Sequence, residues 1–194
     1  MEHVEIRLSG SGGQGLILGA LVLSDALSAE GYQVAHSQAF EPVSRGGVSR
    51  SDLVVDRRGV DYPLATALDM LLVLDACAAG LSLGLLRSRA LVLVDQGLEQ
   101  PPAGAGTVYR LPLIESARGL GNARVTNMAA LGALARLGQL CRMESLRDAV
   151  RRTVPAAYVE ISLRALAVGE ALASAVAVPP HPANDIPATA AASR

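Results

Sequence analysis

Seven residues near the amino terminus, Ser9-Gly10-Ser11-Gly12-Gly13-Gln14-Gly15, have the composition of an anion cradle. They join an alternating apolar run (Val4, Ile6, Leu8) to an apolar helical run from Leu16 to Leu27. Gly10, Gly12 and Gly15 satisfy G-x-G-x-x-G, the strand-to-helix turn whose backbone N–H groups face a phosphate or other anion. Such glycines also serve tight strand–helix packing, so the turn alone is weak evidence. The Ser9 and Ser11 hydroxyls beside a helix N-terminus tilt it toward an anion site. A dinucleotide site needs, in addition, an acidic side chain about 20 residues on, at the end of the second strand, for the ribose hydroxyls. That region reads Gln33-Val34-Ala35-His36-Ser37-Gln38, with neither a carboxylate nor an arginine. An NAD-dependent enzyme acting alone therefore stands only as an alternative.

A second glycine turn lies in the loop Phe40-Glu41-Pro42-Val43-Ser44-Arg45-Gly46-Gly47. Pro42 stiffens it, and Gly46-Gly47 permits positive φ or close approach of a ligand or another chain. Arg45 is a forked donor suited to carboxylate or phosphate, weighed against an ordinary solvated arginine. A third segment runs from Gly121 to Gly132. Asn127 can cap a helix beginning at Met128, Asn122 and Arg124 add polar groups before it, and Gly132 permits close helix contact. Other chemistry has little support. His3, His36 and His181 have no metal-ligand spacing and form no triad. Asp75 and Asp95 end two apolar strands and read as caps of the turns that follow. Cys77 and Cys141 read as buried structural thiols, and without a C-x-x-C the chain is not expected to hold an iron–sulfur cluster or structural zinc.

The elements that must position these groups form an α/β pattern. Strands are expected at Val4–Leu8, Gln33–Ser37, Ser51–Asp56, Met70–Leu74, Ala90–Val94 and Thr107–Leu111. Helices are expected at Leu16–Glu30, Cys77–Leu86, Asn127–Leu140, Glu144–Val154 and Ala157–Ala175. Two strands ending in aspartate put polar groups on the C-terminal sheet edge, where open α/β folds bind ligands. Half of the 194 residues are hydrophobic but only 3% are aromatic, so the core is Leu, Val and Ala, as suits a helix-covered parallel sheet. The expected fold is a Rossmann-like three-layer α/β domain over residues 1–177, with a mostly parallel sheet and a C-terminal helical segment. A disordered Pro/Ala-rich tail is expected over 178–194. A net charge of −1 gives no basic field for nucleic acid. No run suits a signal peptide or a membrane span, and a reducing cytoplasmic setting is expected.

Taken together, the three segments resemble the gamma subunit of the 2-oxoacid:ferredoxin oxidoreductases, which act on pyruvate, 2-oxoglutarate, branched-chain 2-oxoacids or indolepyruvate. The family's G-x-G-G-Q-G turn is met by Gly10 to Gly15, its Tyr-Gly-Pro-Glu-x-Arg-Gly-Gly loop by Phe40 to Gly47, and its Gly-Asn-x-Arg-x-x-Asn-Met-x-x-Leu-Gly segment by Gly121 to Gly132. Phe40, Glu41 and Val43 depart from the loop pattern, which points to a less common 2-oxoacid such as an aryl one; the substrate expected within the family is 2-oxoglutarate, with an aryl 2-oxoacid the alternative. The resemblance implies a subunit of a complex that oxidatively decarboxylates a 2-oxoacid with coenzyme A, passing electrons to ferredoxin or another acceptor. Alpha and beta subunits, and a ferredoxin-like delta subunit, would be its partners. They would hold thiamine diphosphate, Mg2+ and [4Fe-4S] clusters, with no cofactor held by this chain alone. The residues facing the shared site would be Gly10, Gly12, Gly13, Gln14, Gly15, Arg45, Gly46, Gly47, Asn122, Arg124 and Asn127. A scaffold subunit touching no ligand is a further alternative.

Overall fold

A computed structural model describes residues 2–41, 46–100, 102 and 106–176. Arg45 and the segment from Val178 onward, read above as a tail, lie outside them. The elements run β1 (His3–Ser11), α1 (Leu16–Ala29), β2 (Gln33–Phe40), β3 (Val48–Asp56), β4 (Leu68–Val73), β5 (Leu86–Asp95) and β6 (Thr107–Leu111). They continue as α2 (Leu113–Gly119), α3 (Thr126–Gly138), α4 (Met143–Thr153) and α5 (Ala156–Ser174). The sheet order is β2-β3-β1-β4-β5-β6. β1, β4, β5 and β6 pair in parallel, whereas β3 runs against both β1 and β2. The β2–β3 link is too short for a parallel crossover, so it closes as a hairpin. That hairpin brings the second glycine turn to the C-terminal end of β1, where Ser11 lies opposite Val48.

Side-chain alternation assigns the two sheet faces. Val4, Ile6 and Leu8 pack with Leu16, Leu23 and Met128 in the main core under the α-helices. On the opposite face, Leu71, Val73, Val92 and Val94 pack beneath Ala78, Leu98 and neighbouring loop residues. Arg7, 2% exposed, also lies on that face. It grips Asp52 through Nε at 2.7 Å and Nη2 at 2.8 Å, and its Nη1 donates to Ser82 at 3.2 Å. α3 and α5 cross so closely that a Cβ on Gly132 would lie 2.2 Å from the Leu166 carbonyl oxygen, as the small residue there had suggested.

The structure corrects two expectations for the stretch after Asp75 and adds a helix not expected from the sequence. The helix expected over Cys77–Leu86 is two 3-10 turns, Ala76–Ala78 and Leu83–Leu85, interrupted around Gly80 and Ser82, where glycine disfavours helix. Cys77 is exposed, not buried. The added helix is the seven-residue α2, near whose start Asp95 Oδ2 accepts the Ile114 N–H at 2.8 Å.

Candidate functional site: two glycine turns and the start of α1

Each glycine of the first turn has a separate task. The Gln14 side chain folds back, its Oε1 accepting the Ser11 N–H at 2.8 Å and its Nε2 donating to the Leu74 carbonyl at 3.2 Å. A Cβ on Gly10 would sit 2.1 Å from that Oε1, so Gly10 makes the fold-back possible. Gly13 and Gly15 adopt φ of +93° and +73°, the left-handed region that glycine enters without strain. The Gly12 N–H, expected to face an anion, instead donates to the Gly47 carbonyl at 2.8 Å. This bond joins the two glycine turns. It also occupies the amide at the second glycine, where a dinucleotide's pyrophosphate would approach.

Asn127 completes the junction, though not as a helix cap. It lies inside α3, whose cap position is Val125. Its Nδ2 donates to the Gly15 carbonyl at 2.9 Å while its Oδ1 accepts the Met128 N–H at 2.9 Å. The cap role falls to Asn122, whose Oδ1 accepts the Arg124 N–H at 3.0 Å and starts the turn Ala123–Val125. Gly10 to Gly15, Gly47 and Asn127 are thus one bonded cluster, with Gly46 beside it. Asn122 and the exposed Arg124 lie one turn upstream and make no hydrogen bond to the glycine turns among the described residues.

Charge at this edge is divided. α1 starts without a side-chain cap and without an acidic residue in its first turn, leaving the positive end of its dipole open. Beside it, at the ends of β4 and β5, a cleft of about 980 Å³ is lined by Asp75, Asp95, Glu99 and Glu115, with Arg118 the only cation among the described lining residues. Burial would raise the Asp75 carboxyl, but bonds from the Cys77 amide and the Ser11 hydroxyl bring it below its ordinary value. As read from the sequence, Asp75 and Asp95 also cap their turns, accepting from Cys77 N–H at 3.0 Å and Gly97 N–H at 2.9 Å. An anionic ligand is therefore favoured at α1 and repelled by the cleft. Spacing alone did not disclose the cleft. The strand-end aspartates were its signal, but the converging Glu99 and Glu115 come from separate loop and helix positions.

The implied metal groups do not fit this donor set. The chain has two cysteines, short of the four a [4Fe-4S] cluster takes. Desolvation and the nearby Asp75 push the Cys77 thiol up to about 11, and burial with Glu30 pushes Cys141 up to about 12. Both thiols are therefore protonated, and weak nucleophiles, at neutral pH. Among the described residues no three His, Cys, Asp or Glu side chains converge as a metal would require. No helix of the described residues is long and apolar enough to cross a membrane.

Comparison with known proteins identifies the family. Residues 5–172 match the model of the family described as pyruvate ferredoxin/flavodoxin oxidoreductase. The chain is 32% identical to the 2-oxoglutarate synthase subunit KorC of Methanocaldococcus jannaschii, across 85% of this chain and 91% of that one. It is similar to the crystal structure of a keto/oxoacid ferredoxin oxidoreductase gamma subunit from Geobacter sulfurreducens PCA, with 33% identity and a TM-score of 0.79, covering 89% of this chain and 99% of that one. Its fold also matches part of the 2-oxoglutarate:ferredoxin oxidoreductase of Magnetococcus marinus, with a TM-score of 0.83 and 20% identity over 92% of this chain but 32% of that longer one. The chain belongs to the pyruvate ferredoxin/flavodoxin oxidoreductase family.

Proposed function

We propose that this chain is the gamma-type subunit of a 2-oxoglutarate:ferredoxin oxidoreductase. The complex would join the decarboxylated substrate to coenzyme A and release carbon dioxide and two electrons to ferredoxin. The observation that carries this reading is the near end-to-end match to a KorC subunit, against a match to only about a third of the longer Magnetococcus chain. The chain would accordingly be one part of an enzyme whose other parts are alpha, beta and ferredoxin-like delta subunits. Thiamine diphosphate, its Mg2+ and the clusters would reside on those partners, consistent with the poor donor set here. Thiamine diphosphate would supply the electron sink for decarboxylation.

This chain's contribution is binding. The Gly13 amide and the open first turn of α1 would receive a carboxylate of the 2-oxoacid or a phosphate of coenzyme A. Arg45 and Arg124 would pair with the same anion, and Gln14 and Asn127 would hold the turn in shape. Gly46 and Gly47 would keep the second turn close. The test is a substrate panel on the complex assembled around this chain. The value of kcat/KM is expected to be highest for 2-oxoglutarate. A preference for pyruvate or 2-oxoisovalerate would refute the substrate, and no turnover of any 2-oxoacid would refute the activity.

A further inference from the structure

The two edges of the sheet are guarded differently. β6 is five residues long, carries Arg110, and bends that guanidinium onto the Gln96 carbonyl at 2.9 Å. Shortness and charge both discourage pairing at an edge. β2, at the other edge, has none of these devices. It runs eight residues, Gln-Val-Ala-His-Ser-Gln-Ala-Phe, with no formal charge and no proline. Its register with β3 continues without a bulge from Gln33 to Phe40. Phe40 at its end is 65% exposed. α1, which packs on β2 and β3, leaves Leu21 44% exposed. Among the described residues this edge is unprotected, and such an edge is a template for strand addition.

We propose that the outer edge of β2 pairs with β2 of a second copy of this chain, antiparallel, about a two-fold axis through Ser37. The sequence of the strand selects both the occupant and the register. A two-fold perpendicular to the sheet keeps each copy's faces aligned and pairs residues of equal parity. Centred on Ser37, it sets Val34 opposite Phe40 of the second copy, apolar on apolar, and covers the exposed ring. His36 then faces Gln38, Ala35 faces Ala39, and Ser37 faces itself. Centred instead on His36, it would oppose two imidazoles and set Val34 against Gln38. Without a charged residue, no like charges meet in the self-pairing. The two sheets become one of twelve strands, and both glycine-turn sites remain on its C-terminal edges.

The experiment is light scattering after size exclusion of the purified full-length chain. The unmodified chain is expected to show the mass of two copies. Ala39→Lys, at an exposed position outside the glycine turns, is expected to show the mass of one with unchanged circular dichroism. Ser37→Cys in a Cys77→Ser background is expected to cross-link nearly completely on oxidation, since directly opposed strand positions lie about 4.5–5.5 Å apart, within disulfide reach. Phe40→Cys in the same background is expected not to cross-link, because it faces Val34. A single-copy mass for the unmodified chain overturns the proposal, as does a two-copy mass for Ala39→Lys or failure of Ser37→Cys to cross-link. A chain that is single alone, yet loses assembly with other subunits through Ala39→Lys, also overturns it, by giving the edge to a different protein.

Discussion

At the scale of residues, the cluster at the start of α1 is built from backbone groups held by two amides. Gln14 ties the turn to the end of β4 and Asn127 ties it to α3, so the shape is set from three elements at once. Charge at Gly13 is the direct probe of the anion reading. Gly13→Asp is expected to raise KM for the anionic ligand roughly tenfold relative to Gly13→Asn, about 1.4 kcal/mol of binding. The asparagine variant tolerates the same positive φ and so isolates the charge. Equal KM values in steady-state kinetics of the complex would remove the anion from this turn. Arg45→Ala is likewise expected to raise KM for coenzyme A or the 2-oxoacid; unchanged kinetics of the assembled complex would dismiss that residue. The motif was legible as glycines with a purpose. That Gly12 donates to Gly47 was not, because the partner lies across a hairpin whose pairing the local sequence does not encode.

A second residue-scale expectation concerns acid stability. Burial would raise the Glu5 carboxyl, but the amides of Ala67 and Thr66, with His3 and the Thr66 hydroxyl, bring it below its ordinary 4.5. Its folded value is depressed, so its contribution is present above the unfolded value and is lost as pH falls through the folded one. The urea midpoint should therefore drop on acidification below about 4.5. Glu5→Gln should be less stable at neutral pH and lack that part of the acid loss. Parallel curves for the two proteins would contradict this.

At the scale of elements, the α3–α5 crossing and the Arg7–Asp52 pair join elements that carry the site, α3 bearing Asn127 and β1 leading into the first glycine turn. Gly132→Ala forces a methyl group against the Leu166 carbonyl and is expected to destabilise by about 2 kcal/mol, read from chemical denaturation. Asp52→Ala leaves the Arg7 guanidinium buried without its carboxylate and is expected to cost about 3–5 kcal/mol. Strands with continuous apolar runs, such as Leu91–Val94, and the long helices α3 and α5 were readable from composition and period. Arg7 and Asp52 were not, since each looks like an ordinary strand residue until β1 and β3 pair in register. The stretch after Asp75 misled because its alanines and leucines suit a helix, whereas Gly80 and Ser82 divide it into turns that cover the sheet. α2 was not legible locally: it is seven residues long, and its Ile114 N–H is accepted by Asp95, nineteen residues away in sequence.

At the scale of the whole molecule, the chain carries a glycine-lined sheet edge, a donor set too poor for the redox groups, and, among the described residues, an unguarded strand. Each of these is what a component of an assembly would have. The α/β class was legible because the glycine turn and the strand-end aspartates share one edge. The short link makes β2 and β3 a hairpin, but that β3 and not β2 pairs with β1 was not legible, because tertiary packing and not the local sequence chooses the partner of β1. The most direct test is isolation of the complex retained by a tagged copy of this chain from its native cells, followed by measurement of ferredoxin reduction. Reduction that requires both 2-oxoglutarate and coenzyme A is the expected result. A chain that elutes without thiamine-binding and cluster-bearing partners, or a complex that reduces ferredoxin with no 2-oxoacid, would contradict the assignment.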